Sequence, residues 1–203
     1  MTYITKRTKG ADGAPLVLTF HGTGGTEHQF HDLARALVPE AHVISPRGDV
    51  SEHGHARFFR RRGEGVYDMD DLAKRTLRMA DFIEKSIGET SAHRCMALGY
   101  SNGANILASV MLYRPDLLDH VALMHPLIPW SPASQPELAG KRVLITAGRN
   151  DPICPPDKTE SFYNYLKAQG AEVDLHWHDG GHEIRDSELE VMQAFFGEDA
   201  PEV

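Results

Sequence analysis

Residues 99–103 read Gly-Tyr-Ser-Asn-Gly, a Gly-x-Ser-x-Gly pentapeptide set between an apolar run ending at Leu98 and a helical pattern opening at Asn102. A sharp strand-to-helix turn of this kind strains the backbone at its serine and pushes the hydroxyl into the open, while small flanking residues admit close neighbours. Ser101 is therefore a candidate nucleophile. An alcohol is weakly nucleophilic at neutral pH, so it needs a base and a group that orients the base. The chain offers both, with Asp151 in Gly148-Arg149-Asn150-Asp151-Pro152 and His182 in Asp179-Gly180-Gly181-His182. Serine attacking a carbonyl, histidine moving the proton and aspartate fixing the imidazole together make acyl-transfer chemistry. The oxyanion formed on the way requires hydrogen-bond donors. The candidates are the N–H of Asn102, directly after the nucleophile, and that of Thr23 in the loop His21-Gly22-Thr23-Gly24-Gly25. An imidazole is a base only when neutral, so the rate is expected to rise with pH through the histidine titration range.

Six apolar or β-branched runs read as the strands that must position these groups: Leu16–Phe20, His42–Ser45, Arg94–Leu98, His120–Met124, Arg142–Thr146 and Val173–Trp177. Helical patterns alternate with them over Gln29–Leu37, Val66–Ile87, Asn102–Tyr113, Asp157–Gln169 and Ile184–Phe196, each stopped by a nearby proline or glycine, Gly88 for the long one. The alternation predicts an α/β fold: a mostly parallel sheet of about six or seven strands, covered by helices on both faces, forming a single domain over 1–203. Ser101, Asp151 and His182 then fall just beyond strand C-terminal ends, the edge where open parallel sheets bind ligands. The stretch Gly48–Gly65 has no clear period and reads as a long functional loop. Segment 125–141 is too short to hold a lid domain.

Composition narrows the partners. The 203 residues carry 21 Lys+Arg against 29 Asp+Glu, a formal charge of −8, which lacks the cationic surplus that nucleic-acid binding runs on. Apolar runs such as Leu16–Phe20 and Val121–Met124 are far shorter than a membrane span needs, so no transmembrane helix is expected. The N-terminal segment has no apolar signal core, and the two cysteines, Cys95 and Cys154, suit a reducing cytoplasm. A cytoplasmic location is expected, and a homodimer would be unsurprising.

The order Ser101, Asp151, His182, together with HGTGG at 21–25, PRGD at 46–49, RFFRR at 57–61, GYSNGAN at 99–105, GRNDP at 148–152 and GGH at 180–182, resembles the α/β-hydrolases of the phospholipase/carboxylesterase group. These small lidless esterases are akin to acyl-protein thioesterases. The likeness is greatest to bacterial carboxylesterases of the quinone- and catechol-resistance type, and it covers most of the chain. The resemblance implies an α/β-hydrolase fold, a Ser-Asp-His triad, no metal and no organic cofactor. Thr23 stands where acyl-protein thioesterases usually carry leucine, which points away from long-chain acyl proteins. The expectation is a serine carboxylesterase acting on a small to medium ester. The alternatives are an acyl-thioesterase or lysophospholipase on the same triad, or a non-catalytic small-molecule-binding protein on the same scaffold.

The substrate pocket is expected from Arg57, Phe58, Phe59, His125, Leu127 and Ile153. Arg57, Arg60, Arg61 and Arg62 read in two ways: a solvated face paired with acids such as Glu64 and Asp68, or a group that meets a substrate anion while Phe58 and Phe59 wall the pocket. His21 is expected to brace its loop by a hydrogen bond, and Cys154 to be buried and inert. His176, His178, Asp179 and His182 do not reproduce a metallo-hydrolase spacing, so no metal site is expected there.

Overall fold

The computed structural model describes residues 3–197. A seven-stranded sheet runs in the order β1-β3-β2-β8-β9-β10-β11. Its strands are β1 (Thr5–Thr8), β2 (Leu16–Phe20), β3 (His42–Pro46), β8 (Cys95–Tyr100), β9 (His120–Met124), β10 (Arg142–Gly148) and β11 (Glu172–His178). All neighbours pair in parallel except β1, which lies antiparallel against β3 at the edge. The helices are α1 (His31–Leu37), α2 (Met69–Thr90), α3 (Asn102–Tyr113), α4 (Pro156–Ala168) and α5 (Asp186–Gly197).

The continuous apolar runs are explained by a sheet buried on both sides. Successive side chains on a strand point to opposite faces. Leu16, Leu18 and Phe20 accordingly join one core with Val121, Leu123, Val143 and Ile145, under α2, α3 and α4. Val17, Met96, Leu98, Ala122 and Leu144 join the opposite core with Ala34 of α1 and Met192, Phe195 and Phe196 of α5.

Three features differ from the sequence reading. Strand β1 went unforeseen because its sequence, Thr-Lys-Arg-Thr, is polar and pairs on one side only. The 48–65 stretch is not a plain loop: it contains the hairpin β4 (Val50–Glu52) with β5 (His55–Arg57), and β6 (Arg61–Gly63), which pairs with β7 (Val66–Tyr67). Val66 is thus in a strand rather than a helix. Helix α2 begins at Met69, capped by the Asp68 side chain accepting from the Asp71 N–H, and it runs past Gly88 to Thr90. Ser91, at φ 51°, ends it in the left-handed conformation usual after a helix.

Candidate active site

The elbow is built as its sequence requires. Ser101 follows β8 directly and sits at φ 51°, ψ −116°, a conformation costly for any residue with a side chain. It persists because the chain on both sides is locked. The Ser101 N–H donates to the Met124 carbonyl at 2.9 Å, and the Ser101 carbonyl accepts from the Asn105 N–H at 2.9 Å in the first turn of α3. Glycine is obligatory on either side of the turn: a Cβ on Gly99 would stand 2.8 Å from the Gly103 carbonyl, and one on Gly103 would overlap the Phe20 carbonyl of β2. Gly103→Ala is therefore expected to cost about 1–3 kcal/mol of stability through overpacking. Urea denaturation should show that loss, with Ser101→Ala unfolding near the wild-type midpoint as the control.

Beyond the strand ends the three polar side chains form one chain of hydrogen bonds. Ser101 Oγ lies 2.8 Å from His182 Nε2, and His182 Nδ1 lies 2.7 Å from Asp151 Oδ2. Asp151 is held on both oxygens: Oδ1 accepts from the Ile153 and Cys154 N–H groups at 2.8 and 2.9 Å. Its Oδ2 is shared with His125 Nδ1 at 2.9 Å. Burial alone would raise the Asp151 pKa, but the hydrogen bonds from His125, His182 and the two backbone N–H groups outweigh it and hold the carboxyl well below its usual range. The group is a carboxylate at neutral pH.

Tyr100, at the end of β8, fixes the His182 loop. Its hydroxyl donates to the His182 carbonyl at 2.6 Å and its ring packs 5.4 Å from the imidazole. The sequence reading did not single it out, although it is a member of the elbow pentapeptide.

Thr23 and Asn102, the residues expected to supply the oxyanion donors, line the same cavity as Ser101 and His182. Among the described residues, neither the Thr23 nor the Asn102 N–H has a backbone acceptor. Their surroundings are rigid. Arg57 Nη1 donates to Thr23 Oγ1 at 2.7 Å, Gly24 N–H donates to the Ala56 carbonyl at 2.9 Å, and Asn102 Oδ1 accepts from Phe58 N–H at 2.8 Å. His21 accepts the Gly48 N–H on Nε2 at 2.9 Å, which leaves its Nδ1 proton for the Gly22 carbonyl at 2.6 Å. It braces the loop from both nitrogens.

Ser101 and His182 open on a cavity of about 300 Å³ walled by Arg57, Arg61, Tyr67, Leu127, Ile153 and Cys154 among others. Of the residues expected to form a substrate pocket, Arg57, Leu127 and Ile153 line this cavity. Phe58, Phe59 and His125 do not. Phe58 is buried against Phe20 and His21, with ring centroids 5.5 and 4.6 Å away, and Phe59 is buried against Tyr67 at 4.8 Å. Two adjacent large apolar rings gain more by entering the core under their loop than by facing an open cavity. His125 has no exposed surface and lies behind Asp151 rather than beside the substrate space. The arginine cluster also divides. Arg62 reaches Asp68 at 3.8 Å on the surface, whereas Arg57 and Arg61 share Glu52, at 3.6 and 3.0 Å. Cys154 is buried, its thiol pushed up in pKa by burial and donating to the His125 carbonyl at 3.2 Å.

The histidines that raised the question of a metal are separated. His176 Nε2 meets Ser187 Oγ at 3.1 Å, and Asp179 projects outward toward Arg149. A different trio, His125, His178 and Glu188, brings ligand-type atoms together in the interior. There the Gly180 N–H donates to His178 Nδ1 at 2.9 Å, so His178 Nε2 carries the ring proton. That proton occupies the lone pair a metal would need.

A parallel sheet flanked by helices, with a serine elbow after one strand and an acid and a histidine after two later ones, defines an α/β-hydrolase. The chain belongs to the dienelactone hydrolase family, which matches residues 2–184. It is 41% identical over 186 residues to the protein MhqD of Bacillus subtilis (strain 168), covering 90% of this chain and 92% of that one. Among solved structures, the Bacillus cereus carboxylesterase is 38% identical with a TM-score of 0.89, over 97% of this chain and 94% of that one. The protein Atu2452 of Agrobacterium tumefaciens str. C58, of unknown function, is 51% identical with a TM-score of 0.93, over 98% of this chain and 97% of that one. The protein is a hydrolase of the dienelactone hydrolase and carboxylesterase type. Among the described residues no helix is long and apolar enough to cross a membrane.

Proposed function

We propose that the protein is a serine carboxylesterase that hydrolyses small to medium carboxylic esters through an acyl-enzyme on Ser101. The observation that carries this reading is the unbroken hydrogen-bond chain Ser101 Oγ–His182 Nε2–His182 Nδ1–Asp151 Oδ2, at 2.8 and 2.7 Å, beside the cavity. His182 takes the Ser101 proton as Oγ attacks the ester carbonyl, and the oxyanion gathers at the Thr23 and Asn102 N–H groups. The imidazolium, held by Asp151, then protonates the departing alcohol. Water repeats the cycle on the acyl-enzyme with His182 again as base, releasing the acid and restoring Ser101.

The size and charge of the cavity support the substrate class. About 300 Å³ is at the small end for ligand sites and suits a modest acyl group. Arg57 and Arg61 of the lining are balanced by Glu52, which both arginines contact, and by Glu64 of the lining, which favours a neutral ester. Rates on p-nitrophenyl acetate, butyrate and octanoate, and on an acyl-thioester of matched chain length, test the reading. The expected kcat/KM is highest for acetate or butyrate and lower for the octanoate and the thioester. An optimum at octanoate or at the thioester would overturn the preference.

A further inference from the structure

Behind the candidate triad lies a second chain of buried polar groups. His125 Nδ1 meets Asp151 Oδ2 at 2.9 Å, and its Nε2 meets Glu188 Oε1 of α5 at 3.1 Å. The other Glu188 oxygen, Oε2, lies 3.3 Å from the protonated Nε2 of His178 and accepts the Arg185 N–H at 2.7 Å. Thr146 of β10 donates to Glu188 Oε1 at 2.6 Å. The side chains of His125, Asp151 and Glu188 have no exposed surface.

His178 Nε2 also lies 3.5 Å from His125 Nε2, but Glu188 Oε1 at 3.1 Å is the nearer partner. A carboxylate oxygen thus stands at each ring nitrogen, and both carboxylates receive a proton from His125 only when both of its nitrogens are protonated. Two buried carboxylates would otherwise face each other with no cation between them, an arrangement that proteins avoid. The backbone adds a second observation. His125 is one of the few non-glycine residues at positive φ, 50°, and its N–H is pinned to the Thr146 carbonyl at 2.8 Å. The chain accepts a strained backbone at this position while aiming the imidazole at the Asp151 oxygen that His182 also uses. Burial alone would lower the His125 pKa, but the bonds to Asp151 and Glu188 outweigh it and push it up to about 9.

We propose that His125 is a positioning residue, a buried cationic clamp between Asp151 and Glu188 that fixes the Asp151 oxygen shared with His182 and offsets its charge. The proposal rests on the triad reading given above. The charged and titratable groups facing His125 are Asp151 after β10, the Cys154 thiol in the same loop, kept neutral by burial, Glu188 on α5, His178 at the end of β11, His182 in the following loop and the Tyr100 ring at the end of β8. Tyr100 is uncharged, its hydroxyl pushed up to about 12 by burial. His125 is thus the cation that opposes Asp151 at His182, at a ring separation of 5.1 Å. A carboxylate beside His182 favours its protonated form and a nearby cation disfavours it. Removing the cation should move the rising limb of the rate profile to higher pH.

The test combines nitrogen-15 histidine NMR with a pH profile. In the wild-type protein both His125 nitrogens should be protonated at pH 7 and lose the cation signature only near pH 9. In His125→Gln the His125 signals disappear, and the rising limb of kcat/KM should move up by about one pH unit, the Coulomb effect of a unit charge at this range partly offset by Glu188 taking a proton. A neutral His125 at pH 7, or an unmoved limb in a folded His125→Gln, would overturn the proposal. If that variant does not fold, Glu188→Gln keeps the test open. It retains His125 but removes one carboxylate, and the pH at which the His125 cation is lost should fall by at least one unit; no change would overturn the clamp. The NMR arm needs no turnover, so failure of the triad reading, seen as normal activity in Ser101→Ala, is distinguishable from failure of the clamp.

Discussion

Ser101→Ala is expected to abolish ester hydrolysis, lowering kcat on p-nitrophenyl butyrate by on the order of 10⁶-fold, equivalent to about 8 kcal/mol of barrier. The size of the effect follows from cooperation. In the proposed mechanism, loss of Oγ leaves His182 no proton to receive, Asp151 an idle base to orient, and the N–H groups of Thr23 and Asn102 no acyl-enzyme oxyanion to hold. What remains is binding and the polarising effect of the oxyanion donors on a water attack, so residual activity should be small but above the uncatalysed rate. The substitution removes a single oxygen from a partly exposed position. The variant should therefore fold and unfold like the wild type, and the loss would belong to chemistry alone. Steady-state kinetics on the two proteins, with matched circular dichroism, measure it.

Asp151→Asn is expected to lower kcat by about 10⁴-fold, because the amide cannot serve all four of the donors that the carboxylate now satisfies. Oδ2 accepts from His182 and His125, and Oδ1 accepts from the Ile153 and Cys154 N–H groups. If the asparagine oxygen takes the place of Oδ1, its NH₂ faces both imidazoles. His182 must then accept on Nδ1 and carry its proton on Nε2, the tautomer that cannot take the serine proton. If the oxygen takes the place of Oδ2, the NH₂ is driven against two backbone N–H groups. Either way a buried donor loses its acceptor, which costs about 1–3 kcal/mol of stability as well. Kinetics together with a urea melt should therefore show both losses, in contrast to Ser101→Ala, which shows only the first.

The parts legible from sequence were those written in local patterns. The runs at 16–20, 120–124 and 142–146 could be read as buried strands because each feeds two cores at once. The elbow could be read because its glycines, its serine and the start of α3 are contiguous. Features built from distant or polar partners were not legible. Strand β1 carries no apolar signal, and its existence depends on the β3 edge lying beside it. Gly88 has open space around it and makes no demand on the backbone, so helix α2 passes through it. Phe58 and Phe59 were read as pocket walls from their arginine neighbours, yet the hydrophobic effect takes them inward while Arg57 turns to Thr23. The pairing of His125 with Glu188 joins two residues far apart in the chain, and no spacing rule connects them. One signal was available: His125 follows β9 directly, on the same sheet edge as Ser101, Asp151 and His182.

The central claim is that Ser101 is an activated nucleophile, and covalent capture tests it most directly. Incubation with a fluorophosphonate followed by intact-mass measurement and peptide mapping should find one phosphonyl group per chain, carried on Ser101. The adduct should be absent from Ser101→Ala and form far more slowly in His182→Ala. A wild-type chain that stays unmodified, or one modified at another residue, would contradict the account.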